Sequence, residues 1–406
     1  MIYVIKKDGT KELFNSRKIV AAVNKSAARI LYTFSEEEQD FICRFAEEHA
    51  ASLGKNEIQI QEMHNIVEGA LERVNPAVAK SYRDYRNYKL DFIHMMDDVY
   101  TKSQAIRYIG DKSNANTDSA LVATKRSLIF NELNKELYRK FFMNRNELQA
   151  CKDGYIYIHD QSARLDTMNC CLFDVAAVLS GGFEMGNVWY NEPKTLDTAF
   201  DVMGDIILST AAQQYGGFTV PEVDKILAPY AKKSYDRYVE EFMKYSDPSW
   251  VGREEKAIER ALDKVRREYD QGWQGIEYKL NTVGSSRGDY PFVTVTLGLG
   301  TGQFEKMCSM SLLAVHKGGQ GKAGHKKPVL FPKIVFLYDE NIHGKGKISE
   351  DVFEAGVDCS AKTMYPDWLS MSGAGYISSM YKKYKKVISP MGCRAFLSPW
   401  YERGGM

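Results

Sequence analysis

What this chain lacks narrows it before any motif is read. Net charge is nearly absent: 54 Lys and Arg stand against 53 Asp and Glu, a balance of +1. A protein whose main work is gripping a nucleic-acid backbone carries a basic excess, so that class is set aside, although a local cationic pocket for phosphate is not. No apolar run approaches the roughly 18 residues that a membrane span needs. The opening MIYVIKKDGT has too short an apolar stretch, followed at once by charge, to be a secretory signal. The cytoplasm is therefore the expected compartment, with neither a membrane nor a nucleic acid as an expected partner. Cysteines number seven and no Cys-x-x-Cys occurs. An odd count in a chain of this size argues against a disulfide framework, and the missing motif leaves no sequence-local zinc knuckle or thioredoxin-like pair.

What is present suffices for two or three domains, each with its own core: 406 residues, 44% of them hydrophobic. Residues 1 to about 93 read as a small α-rich domain opening with a β-hairpin, Tyr3–Ile5 and Lys11–Phe14 around the turn Lys7-Asp8-Gly9-Thr10. Four helices follow. Ile19, Val20, Val23, Ala27, Ile30 and Leu31 have helical spacing, and Ser35-Glu36-Glu37-Glu38 fits a capping box on a helix that Gly54 ends. Met63, Ile66, Val67, Ala70 and Leu71 mark the third helix. Pro76 suits the first turn of the fourth, with Lys89–Thr101 as a connecting helix. From about residue 104 strand and helix patterns alternate. Tyr155–Ile158 reads as a short strand, Phe292–Leu297 and Val329–Tyr338 as buried strands, and Asp197–Gln214, Pro221–Ser246 and Arg253–Tyr278 as helices. That alternation predicts an α/β domain with a largely parallel sheet or barrel over 94–406.

Three features could carry chemistry. Lys6, Lys7 and Lys18 project near one end of the first domain, where cations beside a helix start suit phosphate oxygens; lysines near a turn are more simply plain surface. Gly298-Leu299-Gly300-Thr301-Gly302 and Gly318-Gly319-Gln320-Gly321-Lys322 invite a phosphate-loop reading, but neither follows the P-loop pattern and the first also fails the dinucleotide fingerprint. Turns joining strand to helix are the simpler reading. Cys393 lies in a segment bounded by Pro390 and Pro399, with Gly392 beside it, a way to place one sulfur accurately. Cys170 follows the strand, the His159-Asp160 pair and a loop. Facing each other across a substrate, these two thiols can supply reducing equivalents and pair as a disulfide. Taken alone, two cysteines this far apart are more simply two unrelated buried thiols. Cys43, Cys151, Cys308 and Cys359 read as packing residues.

Seven segments in one order carry a resemblance: Asn114-Ala115-Asn116-Thr117-Asp118-Ser119, Asn169-Cys170, Tyr215-Gly216-Gly217, Pro291–Thr294 with Leu299-Gly300-Thr301, Phe331-Pro332-Lys333, Met364-Tyr365-Pro366-Asp367 and Met391-Gly392-Cys393-Arg394. The opening Val4-x-Lys6-Lys7-Asp8-Gly9 with Asn15-x-x-Lys18-Ile19 resembles an ATP-cone. Over nearly its whole length the chain is similar to the anaerobic, glycyl-radical (class III) ribonucleoside-triphosphate reductases. The resemblance implies an ATP-cone over 1–93, an allosteric switch whose ATP or dATP site is lined by Val4, Lys6, Lys7, Glu12, Lys18 and His64; a satisfied core histidine is the other reading of His64. It implies that 94–406 is the first part of an α/β barrel, with Cys393 as the thiyl-radical cysteine on a finger loop. Cys170 would help reduce the 2′ position as water leaves, Asn169 would polarise or position the substrate, and Cys171 would pack beside them.

The implied reaction is reduction of ribonucleoside triphosphates to 2′-deoxyribonucleoside triphosphates. Formate is the implied reductant, a radical-SAM activating enzyme the implied partner, and a homodimer or larger assembly the implied state. The family's zinc site, built from two Cys-x-x-Cys pairs, and its glycyl-radical loop are expected only beyond Met406, so this chain alone is expected to be inactive. Two other readings stay open. One is a non-catalytic nucleotide-sensing fragment or subunit of a split enzyme. The other is a glycyl-radical enzyme of the formate-lyase type, against which the ATP-cone argues.

Overall fold

The computed structural model describes residues 2–6, 8–107, 118, 120–164, 168–285, 288–393 and 395–396. It divides into two compact units, Met1–Thr101 and Lys102–Met406. In the first, strands β1 (Tyr3–Ile5) and β2 (Lys11–Leu13) form the expected hairpin, with Gly9 in the left-handed region at the turn. Helices α1 (Ser16–Ala28) and α2 (Glu36–Ser52) follow. Ser35 and Glu38 exchange both hydrogen bonds of a capping box. A third strand, β3 (Glu57–Gln59), pairs parallel to β1, and helices α3 (Ile60–Val74) and α4 (Pro76–Arg107) complete the set. Val4, Val23, Ile42, Ile58, Val67 and Leu71 form the core. Ile30 and Leu31 do not extend α1 as their spacing predicts. The chain turns at Arg29, the Tyr32 N–H returns to the Ala27 carbonyl, and Leu31 takes a positive φ with its side chain in solvent.

The second unit holds helices α5 (Val122–Phe141) and α6 (Arg145–Lys152), strand β4 (Cys171–Leu172), and a short helix α7 (Val175–Leu179). A hairpin of β5 (Phe183–Met185) and β6 (Val188–Tyr190) leads to α8 (Leu196–Ala211). Then come β7 (Phe218–Val220), α9 (Val223–Tyr245), α10 (Arg253–Thr282), β8 (Val293–Leu297) and α11 (Gln303–Gly318). Strand β9 (Lys333–Tyr338), α12 (Glu350–Thr363), β10 (Asp367–Ser370) and α13 (Tyr376–Tyr384) end the described elements. Five strands make one wholly parallel sheet in the order β10-β9-β8-β7-β4, the α/β architecture that the alternating pattern predicts. Tyr155–Ile158 is not a strand. It follows the C-terminus of α6, where the Tyr155 N–H bonds the Ala150 carbonyl, and both tyrosines stand in solvent with no strand beside them among the described residues.

The two faces of this sheet differ because side chains alternate along a strand. Phe218 and Val220 of β7, Val293, Val295 and Leu297 of β8, and Ile334 and Phe336 of β9 pack into one core with Met203, Tyr269, Trp273 and Leu312 of the helices. The intervening Thr219, Thr294 and Thr296 face the other way, yet all three are fully buried. Farther along that face, Val335 and Leu337 pack with Met371, Ile377 and Val387. Something other than helices covers those threonines, and it is the segment that carries Cys393.

Candidate functional site

Residues 389–393 and 395–396 lie along the threonine face as a loop. Ser389 Oγ lies 3.1 Å from Thr296 Oγ1, and Thr219 Oγ1 donates to the Pro390 carbonyl at 3.1 Å. The Met391 N–H donates to the Ala395 carbonyl at 2.8 Å, and Pro390 pairs with Phe396, which closes the loop. Lys333 Nζ reaches the Gly392 carbonyl at 3.4 Å and stands 4.2 Å from the centroid of the Phe292 ring. Cys393 sits exposed at the tip. Of the two prolines expected to bracket this loop, Pro390 takes part and Pro399 lies outside the described residues, as does Arg394.

Cys170 and Asn169 immediately precede β4, and Tyr215–Gly217 precede β7. The Tyr215 N–H bonds the Met168 carbonyl, the Gly216 N–H the Asn169 carbonyl at 2.5 Å, and the Gly217 N–H the Cys170 sulfur at 3.2 Å. A Cβ on Gly216 would stand 2.5 Å from both Cys170 Sγ and Asn169 Oδ1, so only glycine admits this approach. Cys170 and Cys393 meet here. Burial raises the Cys170 thiol above its ordinary value, the Gly217 N–H opposes that, and the neighbouring Cys393 and Asp160 raise it further. Asn169 Nδ2 lies 3.5 Å from Asp160 Oδ2, which is also 2.5 Å from His159 Nδ1. Cys171 faces elsewhere: its sulfur is 3.0 Å from Gln214 Oε1, and burial pushes its thiol up to about 11. A cavity of about 670 Å³ runs beside β4, lined by Cys170, Cys171, Asp174, Glu222, Lys225 and Lys386.

The glycine loop Gly298–Gly302 has an occupant already. The N–H groups of Gly298 and Gly300 both donate to Asp224 Oδ2, at 2.9 and 3.0 Å, and the carboxylate is fully buried. Burial raises its pKa and the backbone N–H bonds hold it down. From the other side His343 Nε2 lies 2.7 Å from the Gly298 carbonyl, while its Nδ1 accepts from the Asp339 N–H, which fixes the tautomer. Sequence reasoning missed Thr219, Thr296, Asp224 and His343 as builders of this region, and gave no role to Phe292 and Lys333, although both stand in segments that carry the resemblance. The one local signal was Val293-Thr294-Val295-Thr296-Leu297, where hydroxyls recur every second residue in a strand that reads as buried.

In the first unit, the side chains of Lys6 and Lys18 both bond the Glu12 carboxylate, and Glu12 pairs across the hairpin with Val4, which is buried. Lys7 lies outside the described residues. His64 on α3 is half-buried, with Nδ1 2.7 Å from the Tyr82 hydroxyl, whose pKa burial raises to about 12. An open groove of about 580 Å³ is lined by Glu12, Asn15, Ser16, Lys18 and Glu47, beside the start of α1 that Asn15 caps. Among the described residues, no group of three His, Cys, Asp or Glu is placed to hold a metal ion, and no helix is long and apolar enough to cross a membrane. The segment Asn114–Thr117 and Ser119 lie outside the described residues.

A parallel α/β sheet brings two cysteines distant in sequence together, in a chain that opens with a separate lysine-bearing unit. Comparison with known proteins makes the assignment. Residues 113–406 match the family model described as anaerobic ribonucleoside-triphosphate reductase, and residues 2–91 match that of the ATP cone domain. The chain belongs to the anaerobic ribonucleoside-triphosphate reductase family and carries an N-terminal ATP-cone. Anaerobic ribonucleoside-triphosphate reductase of Haemophilus influenzae is 31% identical over 99% of this chain and 56% of its own length. The Escherichia coli protein of the same name is 29% identical over 99% of this chain and 55% of its own length. That of bacteriophage T4 is 34% identical over 72% and 46%. The chain thus spans about half the length of the curated relatives it matches. Among solved structures, the anaerobic ribonucleotide reductase of Thermotoga maritima in complex with dATP and CTP matches 70% of this chain and 50% of its own, at 14% identity and a TM-score of 0.44.

Proposed function

We propose that the chain takes part in reducing ribonucleoside triphosphates to 2′-deoxyribonucleoside triphosphates by hydrogen-atom chemistry at Cys393, with ATP or dATP acting through the cone. The observation that carries this reading is the meeting of Cys393 with Cys170 beside Asn169. A sulfur radical at Cys393 can take the 3′ hydrogen of a ribose, which no acid–base side chain can do. As the 2′ hydroxyl leaves as water, Cys170 would give a hydrogen atom to the 2′ carbon, formate would return hydrogen to Cys170 and one electron to the 3′ carbonyl and leave as carbon dioxide, and the Cys393 thiol would give its hydrogen back to the 3′ carbon and recover its radical, while the Asn169 amide would orient the sugar. The raised thiol pKa of Cys170 suits this role, because a protonated thiol is the hydrogen donor. The radical source that the family implies would supply the one-electron oxidation of the Cys393 thiol. Formate is the proposed reductant and a radical-SAM protein the proposed activating partner, acting on a homodimer or larger assembly. The cavity beside Cys170 is the proposed place of the triphosphate, where Lys386, and Lys225 on leaving its present partner Glu222, would meet phosphate oxygens.

At the cone, Lys6 and Lys18 would exchange the Glu12 carboxylate for phosphate oxygens beside the N–H groups that open α1. Val4, Lys7 and His64 complete the proposed effector set. Two measurements test the two halves separately. Calorimetric titration with ATP is expected to lose its binding heat in the Lys6→Ala, Lys18→Ala double variant; wild-type affinity in that variant refutes the effector site. In an anaerobic assay supplying the activating partner, a radical source and formate, Cys393→Ser is expected to abolish reduction and Cys170→Ser to cost more than Cys171→Ser. Full activity of Cys393→Ser refutes the catalytic reading.

A further inference from the structure

We propose that Lys333 is a positioning residue for Cys393, acting from the end of a row of three side chains on the covered face of the sheet. The proposal rests on the reading of Cys393 as the hydrogen-abstracting sulfur. Strand register sets the row: Thr219 of β7 stands opposite Thr294 of β8, which stands opposite Lys333 of β9. All three turn away from the helix-covered core, and the loop that carries Cys393 lies along them. Thr219 Oγ1 holds the Pro390 carbonyl and Lys333 Nζ holds the Gly392 carbonyl, the last peptide oxygen before Cys393. Between these two anchors the Thr294 hydroxyl is buried without a hydrogen-bond partner among the described residues. A buried, unpaired hydroxyl is a cost that packing alone would have removed, so the row is polar for the loop and not for the core.

Lys333 joins the loop to its floor. The Lys333 ammonium that holds the Gly392 carbonyl also lies over Phe292, and Phe292 is the surface on which the loop rests. A Cβ on Gly392 would run into the Phe292 Cε1 atom, and a Cβ on Gly217 would stand 3.2 Å from the same ring and 3.4 Å from the Gly392 nitrogen. The cation therefore ties the peptide before Cys393 to a ring packed against Gly217, whose N–H donates to the Cys170 sulfur. Radical transfer between a sulfur and a carbon needs the two atoms aligned, and a misplacement of about 1 Å costs on the order of 100-fold.

The test reads geometry without turnover. Diamide takes two electrons and two protons from a pair of thiols and becomes the hydrazine. It is added to the intact chain, and disulfide-linked peptides are counted by mass spectrometry after the remaining thiols are alkylated. The wild-type chain is expected to join Cys170 to Cys393. Lys333→Met keeps the stem over Phe292 and removes the charge; it is expected to slow that pairing about tenfold and let Cys171 compete, as loss of a charge-assisted anchor frees the loop. Lys333→Arg is expected to restore both rate and partner choice, which a merely structural role would not require. If Lys333→Met fails to fold, Thr219→Val removes the neighbouring anchor with little change of shape and is expected to slow the same pairing. Wild-type rate and partner choice in folded Lys333→Met, or in Thr219→Val if that variant must stand in, overturn the proposal. A chain whose sulfurs pair under the control of Lys333 but which leaves ribonucleotides unreduced in the radical assay refutes the functional reading alone.

Discussion

Gly392→Ala isolates the contact under the loop that carries Cys393. Gly392 does not occupy the left-handed region, so its backbone accepts alanine without strain. The obstacle is the Phe292 ring alone: the added Cβ would overlap Cε1 and stand 2.7 Å from Cδ1 and 3.0 Å from Cζ. The ring cannot step aside freely, because Phe331 packs on it at 5.4 Å between centroids and the Lys333 ammonium stands 4.2 Å from its centroid. Inserting one methyl group into such a contact costs about 1–3 kcal/mol. With a denaturant slope of roughly 3 kcal/mol per molar urea, that is a midpoint shift of about 0.3–1 M. Tryptophan fluorescence follows the right unit, because Trp189, Trp250, Trp273, Trp368 and Trp400 all belong to the second one.

If the loop lifts off instead, the loss is capped by its docking energy and appears as slower Cys170–Cys393 pairing under diamide. Either way the damage belongs to one pair of residues. Phe292→Leu makes room for the methyl group, so Gly392→Ala is expected to cost far less in that background, a coupling of about 1–3 kcal/mol for residues in contact. Equal effects of Gly392→Ala on both midpoint and pairing, with and without Phe292, would show that the ring is not the obstacle and that the loop does not rest there.

Other outcomes follow from the buried groups. Asp224→Ala leaves the Gly298 and Gly300 N–H groups buried and unpaired, and is expected to destabilise the second unit by roughly 2–5 kcal/mol in the same fluorescence experiment; a change within error would mean that water or another group replaces the carboxylate. His343 is held below its ordinary value of 6.5, first by burial, against the pull of its bonds to Gly298 and Asp339. Its contribution to stability is therefore present above pH 6.5 and lost as pH falls through the lowered folded value, and His343→Gln is expected to flatten that part of the urea midpoint against pH. With its thiol at about 11, Cys171 is expected to alkylate through a thiolate fraction of roughly one in a thousand at pH 8, rising about tenfold per pH unit up to pH 10. A plateau in the rate below pH 9, read peptide by peptide, would refute the burial argument.

Where the chain's information is local, the elements were legible. The hairpin, the Ser35–Glu38 capping box, the helix opening at Pro76 and the buried strands β8 and β9 all follow from turn residues and side-chain period. Strand β3 was not, because three residues with only Ile58 buried give no period to read. Tyr155–Ile158 has strand-like residues and no partner to pair with, and Leu31 has the right spacing on a helix that has already turned away. The site divides in the same way. Asn169, Cys170, Gly216, Gly217 and Cys393 were named from a family resemblance and lie together. The residues that seat the loop come from three different strands, and register across strands is not written in any one of them. The alternating threonines of β8 held a cue that went unread: a strand covered by helices on both faces has no reason to present hydroxyls every second residue.

The glycine loop shows why a motif cannot be read apart from its hydrogen bonds. Glycines after a buried strand, turning into the N-terminus of a helix, are the ordinary ingredients of a phosphate cradle, because they expose backbone N–H groups to an anion. Here the anion is part of the chain. Asp224, one residue into α9, places a fully buried carboxylate oxygen where two of those N–H groups converge, and Gly302 gives its N–H to Glu305. The Gly298 carbonyl is taken as well, by His343. With donors and acceptor both satisfied internally, the loop is a fixed corner at the end of β8, and its rigidity passes to the strand whose Thr296 contacts Ser389 at the root of the Cys393 loop. Cations for the proposed triphosphate must then be sought elsewhere in the second unit, and two of them, Lys225 and Lys386, line the cavity beside Cys170.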